Sequence, residues 1–372
     1  MNAERLHVVA ITLNEEMTKR DLVGKVNTLI AALQNVVNNP QAPHQQSLAD
    51  SRKAVFSALV NTPSDSFSPA WRQLLSEMGG DGLFGSSLKE TIEEIFNRNQ
   101  ITPAVALTEL QEMNKKLQAF KKALEQLISS FAYFEIGAEE LSPGECEIGM
   151  LIPRKEVNNS LLGFAKGLND LSFILNTFSE VATGKVDELE IKTISSTDLM
   201  VYLGAIPAFA ACVALAVERI VSLYKQFLEI RKLRAELEKH GVPGKHTLGI
   251  EEHANTVMEK GIIELSQEIM DKFYKGPDKG RKNELRNQIQ IVLNRLANRI
   301  DHGYNIEVRV KPLEKVEQEN ESTKDATENI NIIMAALKNM QFMKLEGAPI
   351  LQLPEGKEKS EEKIKAGEGR KK

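Results

Sequence analysis

The chain is short of the residues from which most enzyme sites are built. It has two cysteines, Cys146 and Cys212, and six histidines in 372 residues. Two cysteines so far apart make neither a disulfide framework nor a CxxC metal motif, so a reducing compartment is expected, the cytoplasm by default. HExxH, GxSxG and Cys/His sets at zinc spacing are all missing. The glycine clusters at 79–85 and 276–280 lack the strand–loop–helix setting of a phosphate-cradling loop. No cofactor and no metal are therefore expected. His246 and His253 flank Glu251 and Glu252, which read as a solvated helix entry with acids favourably placed in its first turn.

Aromatic residues are scarce, at 5%, and the formal net charge is −5. Little is available to stack bases, and no global field draws nucleic acid or an anionic membrane, so neither is an expected partner. The basic runs Arg231-Lys232-Leu233-Arg234 and Lys279–Arg286 are interrupted by acids and read as solvated helix faces. Residues 1–12 carry Glu4 and only a short apolar run, unlike a secretory signal. Residues 199–217 contain no charge, but Gly204, Pro207 and a strand-like start read as a buried strand–helix junction rather than a membrane span.

What is present is helical periodicity. From Thr102 and Pro103, the positions Ala106, Leu110, Met113, Leu117, Phe120, Leu124, Leu127, Phe131 and Phe134 step by four and three. This predicts a helix about 50 Å long, which must lie along another long helix, in this chain or in a second copy. Pro207 opens another, with Ala216, Ile220, Leu223, Phe227 and Ile230 on its stripe. Arg234 falls on that same stripe and is expected to pair across an interface and specify register. Leu110, Leu117, Phe120, Leu124, Phe131, Ile220, Phe227 and Arg234 are thus the candidate interface residues.

Alternating segments supply a small sheet. Glu147–Ile152 and Asn305–Val310 read as strands, and Leu189–Ile194 with Leu199–Gly204 as a hairpin turning through Ser195–Asp198. Helices are expected from Asn158 or Asn159 to Gly184, from Pro207 to the Gly241–Gly244 stop, and over 250–274 and 282–300. The order β-α-β-β-α-α-α-β matches a split β-α-β sheet with a helical insertion. Ahead of it, 21–37, 47–59, 71–78 and 87–96 read as shorter helices, with Ser87 and Glu90 as a capping box and Trp71 as a core anchor.

The predicted class is α+β and predominantly helical, with regions 1–98, 99–140, 145–311 and 312–372. In the last, 323–342 is expected to be a helix and 355–372 a disordered mixed-charge tail. Between them Pro349–Pro354 brackets Ile350, Leu351 and Leu353, a candidate partner-docking segment that could equally fold back on its own body.

One stretch carries a resemblance to a known family. In Asn294–Gly303, Arg295 and His302 stand with six residues between them, which resembles the Arg-x(4–6)-His signature of HEPN ribonucleases. The resemblance covers eight residues and implies that Arg295 and His302 stabilise and move charge at a scissile phosphate. A strand directly after them departs from that family's helical bundle.

The leading expectation is a non-enzymatic bacterial cytoplasmic interaction or assembly protein, a scaffold acting through long helices and a docking tail. Its partners would be proteins, a second copy of itself included. A HEPN-like ribonuclease using Arg295 and His302, and a membrane-acting effector using 199–217, are the alternatives.

Overall fold

The computed structural model describes residues 3–186, 188–195, 199–240, 248–313, 321–343 and 345–356. Within them the chain is α+β and predominantly helical, and it divides into two compact units, Met1–Ser142 and Pro143–Lys372. The expected turn at 196–198, the stop at 241–244, His246, most of the charged run 314–324, and the tail beyond Gly356 lie outside the described residues.

The first unit is helical: α1 Ala3–Lys19, α2 Leu22–Asn38, α3 Ala42–Ala58, α4 Pro69–Glu77, α5 Gly85–Arg98 and α6 Pro103–Tyr133. Helix α1 has no counterpart among the expected elements. Its Val9, Ala10, Leu13 and Met17 are buried against the same core as Leu29, Leu88 and Leu117. The long stripe of α6 serves that core: Leu110, Leu117, Leu124 and Phe131 are buried, and Phe120 is half-buried beside Phe84. Trp71 packs edge-on against Phe67 at 5.1 Å.

Helix α5 begins at Gly85, two residues before the expected Ser87 cap. The carboxylate of Asp65 accepts the Ser86 backbone N–H at 2.8 Å and its hydroxyl at 2.7 Å, so the cap comes from a turn far back in sequence. Gly85 has φ +52°, and a Cβ there would lie 2.4 Å from Asp65 Oδ1. Only glycine fits that approach.

The second unit is built on an antiparallel sheet ordered β2-β3-β1-β4, from β1 Cys146–Leu151, β2 Ile191–Ser195, β3 Met200–Ala205 and β4 Asn305–Val310. That is the order a split β-α-β sheet has. Ile148 stands opposite Leu203 on one side and Val308 on the other. Their face packs into one core with α7 Leu161–Thr183, α8 Pro207–Lys239, α9 Leu248–Phe273, α10 Lys279–Asp301 and α11 Glu321–Asn339. Ser160 caps α7 by accepting the Gly163 N–H, and Gly184, with φ +78°, ends it. Asn158 and Asn159, the expected caps, instead take left-handed turn conformations.

Ile220 and Phe227 on α8 are fully buried in this core, as are Val201, Leu203, Cys212 and Val217 from the uncharged stretch 199–217. Among the described residues one helix is long and apolar enough to cross a membrane, within Pro207–Leu237, and 72% of its most apolar window is buried. Apart from Phe134, 68% exposed just past the end of α6, each of the two long stripes is therefore used inside its own unit. At roughly 1.5–3 kcal/mol per buried large apolar side chain, that internal use accounts for their spacing.

Candidate functional site

Helix α10 is the anomaly of the second unit, because it is deeply packed yet polar. Asn294, Asn298 and Asp301 recur at i, i+4 and i+7, which places them in one row. Arg295, Arg299 and His302 make a second row beside it. Buried polar groups are costly unless each finds a partner. In both rows they do, except that Asn294 Oδ1 is buried without one.

The first row faces the chain's own segment 345–356, which has no helix or strand. Asn298 Nδ2 donates to the Leu353 carbonyl at 3.0 Å, and its Oδ1 accepts the Leu353 N–H at 3.1 Å. Asn255 on α9 does the same one step earlier, donating to the Ile350 carbonyl at 3.1 Å and accepting the Gln352 N–H at 2.7 Å. Asp301 Oδ2 accepts the N–H groups of Ile350 and Leu351 at 2.7 and 2.6 Å. Asn294 donates to the Pro354 carbonyl and Arg295 Nε to that of Glu355, both at 2.9 Å. From α8, Arg231 donates to the carbonyls of Glu346 and Gly347 at 2.9 and 2.7 Å. Beneath these contacts Ile350, Leu351 and Leu353 are all buried.

Arg231 and Asp301 form the floor of this groove. Their side chains are 2% and 0% exposed and meet at 2.6 Å. The Tyr224 hydroxyl donates to the same Asp301 oxygen and accepts from Arg231. Burial, followed by the Asp301 charge, pushes the Tyr224 phenol well above its ordinary value. Arg231 was expected to be solvated. It is buried because it has both a carboxylate and main-chain carbonyls to satisfy its fork.

The second row faces α7. Arg295 Nη1 and Arg299 Nε share the Asp170 carboxylate at 3.0 and 2.7 Å, and the Arg295 guanidinium lies 4.8 Å from the centre of the Phe173 ring. Burial pulls Arg299 down, but the charges of Asp170 and Glu355 outweigh it and hold the guanidinium above its ordinary value. His302 Nδ1 and Glu156 Oε2 are 2.7 Å apart, and 36% of the histidine side chain stays exposed. Arg295 and His302 thus share a face two turns apart, but each is held by a different carboxylate.

The remaining expected site residues are placed as follows. Arg234 pairs within its own unit, with Glu251 at 3.0 Å and the Pro349 carbonyl at 3.4 Å. Of the two readings of Ile350, Leu351 and Leu353, docking on a partner or folding back on the body, the structure shows the second, with all three buried where the groove satisfies their main chain. The sequence does not single out the groove residues Asn255, Asn294 and Asn298, and Asp301, which beside Arg299 and His302 reads as part of a surface charge cluster, is instead fully buried. The available signal was a polar row on a helix whose next row, Leu293, Leu296 and Ile300, is core.

Other chemistry is sparse. Burial and the nearby Glu145 charge push the Cys146 thiol up to about 12, and burial pushes Cys212 higher still. Neither thiol is a nucleophile near neutral pH. Among the described residues no group of three His, Cys, Asp or Glu side chains could hold a metal ion. The first unit has an open cleft of about 260 Å³ whose lining mixes Asp81, Glu94, Glu109 and Glu112 with Arg98 and Lys116. Arg98 and Glu109 are paired there at 2.8 Å.

No family model matches the chain, and no curated protein or solved structure matches it.

Proposed function

We propose that the protein is a non-enzymatic interaction or assembly protein whose business is holding protein segments. The observation that carries this reading is the groove on α8, α9 and α10, whose polar side chains are spent on the main chain of 346–355. Side chains that read main-chain groups in register, with pockets for alternate apolar residues, belong to peptide recognition rather than to bond breaking. The state of Arg295 supports the same reading. A phosphate-stabilising arginine needs an open guanidinium, whereas this one is buried and engaged by the Asp170 carboxylate and the Glu355 carbonyl.

The experiment that separates binding from catalysis is RNA cleavage by the full chain and by His302→Ala. Neither is expected to cleave RNA of mixed sequence. Cleavage by the full chain that disappears in His302→Ala would overturn the reading in favour of a HEPN-like nuclease.

A further inference from the structure

The segment 345–356 is covalently part of the chain, yet it is bound as a separate peptide would be. No stretch of it joins a helix or the sheet. Its main-chain groups are met by body side chains: Arg231, Asn255, Asn294, Arg295, Asn298 and Asp301. Asn255 and Asn298 each use both ends of one amide, donating to a carbonyl and accepting an N–H. Such main-chain pairs fit any extended chain in the right register, while Asn298 Nδ2 also donates to the Glu355 carboxylate of the resident segment at 2.7 Å. Sequence selection comes from elsewhere. Ile350, Leu351 and Leu353 point into the core, while Gln352 and Pro354 are exposed. Pro349 and Pro354 bracket the apolar residues and favour an extended backbone before binding, which lowers the ordering cost.

We infer that this groove is a linear-peptide site. It takes an extended segment of another protein carrying Ile-Leu-x-Leu between prolines, and the chain's own 345–356 is the competitor that fills it at rest. The groove reads main chain through Asn255, Asn298 and Asp301 and selects side chains at the positions of Ile350, Leu351 and Leu353. A partner segment enters as the resident one leaves, so the apparent affinity for the partner is reduced by the fraction of chains whose groove is closed. This inference rests on the interaction reading above and names its ligand.

The test uses the full chain with a site-specific protease sequence placed between Met343 and Glu346, so that the protein folds with its segment in place and is cut afterwards. A fluorescent peptide of sequence 345–356 is then added. The cut segment is expected to be released on dilution and replaced by the labelled peptide, with a Kd in the range of about 1–100 μM. A peptide with Leu351→Asp and Leu353→Asp is expected not to compete. Asn298→Ala in the body should weaken binding at least about tenfold, through the loss of its two bonds to the Leu353 main chain and one to the Glu355 carboxylate. The uncut chain should bind the labelled peptide at least about tenfold more weakly than the cut one, because its own segment competes at high effective concentration. The inference fails if the cut segment never exchanges under native conditions, if the body unfolds on releasing it, or if the Asp peptide binds equally well. Those outcomes leave the interaction reading standing. His302-dependent RNA cleavage would remove the reading itself, whatever the peptide does.

Discussion

Asn298 and Leu353 are joined twice, amide nitrogen to carbonyl at 3.0 Å and main-chain N–H to amide oxygen at 3.1 Å. An asparagine buried on a core helix would be destabilising unless both ends were satisfied. Here a segment from 55 residues further along the chain satisfies both. The polarity of α10 and the apolar character of 350–353 are thus two halves of one interaction.

Asp301 is the acceptor on which this interaction depends. It takes hydrogen bonds from Arg231, Tyr224 and the amides of Ile350 and Leu351. Asp301→Asn removes the charge opposite buried Arg231 and is expected to cost about 3–5 kcal/mol. Denaturant unfolding measures this. A change under 1 kcal/mol, on the order of an exposed pair, would show that the floor of the groove is not holding the segment.

Arg295 and His302 should behave differently from one another. Arg295→Ala leaves the half-buried Asp170 with one cation fewer and removes the Phe173 contact, so it should destabilise by about 2–4 kcal/mol. His302 is more exposed, and His302→Ala should stay within about 1 kcal/mol of the parent. A nuclease pair would reverse the order of importance, with His302 decisive for activity.

The apolar stripe of α6 is core. Leu117→Ala and Leu124→Ala should each lower stability by about 2–5 kcal/mol through cavity formation. The mass in solution, read by light scattering, should be the same for the folded variants as for the parent. If dissociation of an oligomer accompanies either substitution at unchanged fold, the stripe is an interface after all.

Alkaline pH should loosen the groove. Tyr224 is protonated in the folded state to a higher pH than the ordinary tyrosine value of 10.0. The unfolded chain therefore loses this proton first. The associated stability is complete below pH 10 and falls as pH rises beyond it. Tyr224→Phe should be less stable at neutral pH, by about 1–2 kcal/mol, and should lose stability less steeply above pH 10. Thermal melts from pH 8 to 11 compare the two slopes.

Both thiols should be silent in the folded protein. Cys146 and Cys212 are buried with raised pKa values. A maleimide should label neither until denaturant is added. Rapid labelling of one of them in native buffer would mean that the core of the second unit opens readily.

Much of the fold was legible in the sequence because it is written in local periods. Alternation placed β4 at Asn305–Val310, and four-three spacing placed α6 and α8. Helix α1 was not legible, since its apolar run Val8–Ala10 is short and its face is completed only by Leu13 and Met17. The start of α5 was misplaced because its cap, Asp65, is supplied from another turn. The site was half legible. Arg295 and His302 stood out as residue types, and Ile350, Leu351 and Leu353 as an apolar insert. Their meaning depends on α10 and 345–356 being brought together, and no local period encodes a contact over that separation.

The most direct test is hydrogen exchange of the full chain, comparing the amides of Ile350, Leu351 and Leu353 with those of Val292, Leu293 and Leu296 on α10. The segment amides are expected to be protected relative to a free peptide, yet to exchange at least about tenfold sooner than the α10 amides, because the segment opens without the body unfolding. Exchange of both sets together, only through global unfolding, would contradict a separable bound segment, and so would segment amides with no protection at all.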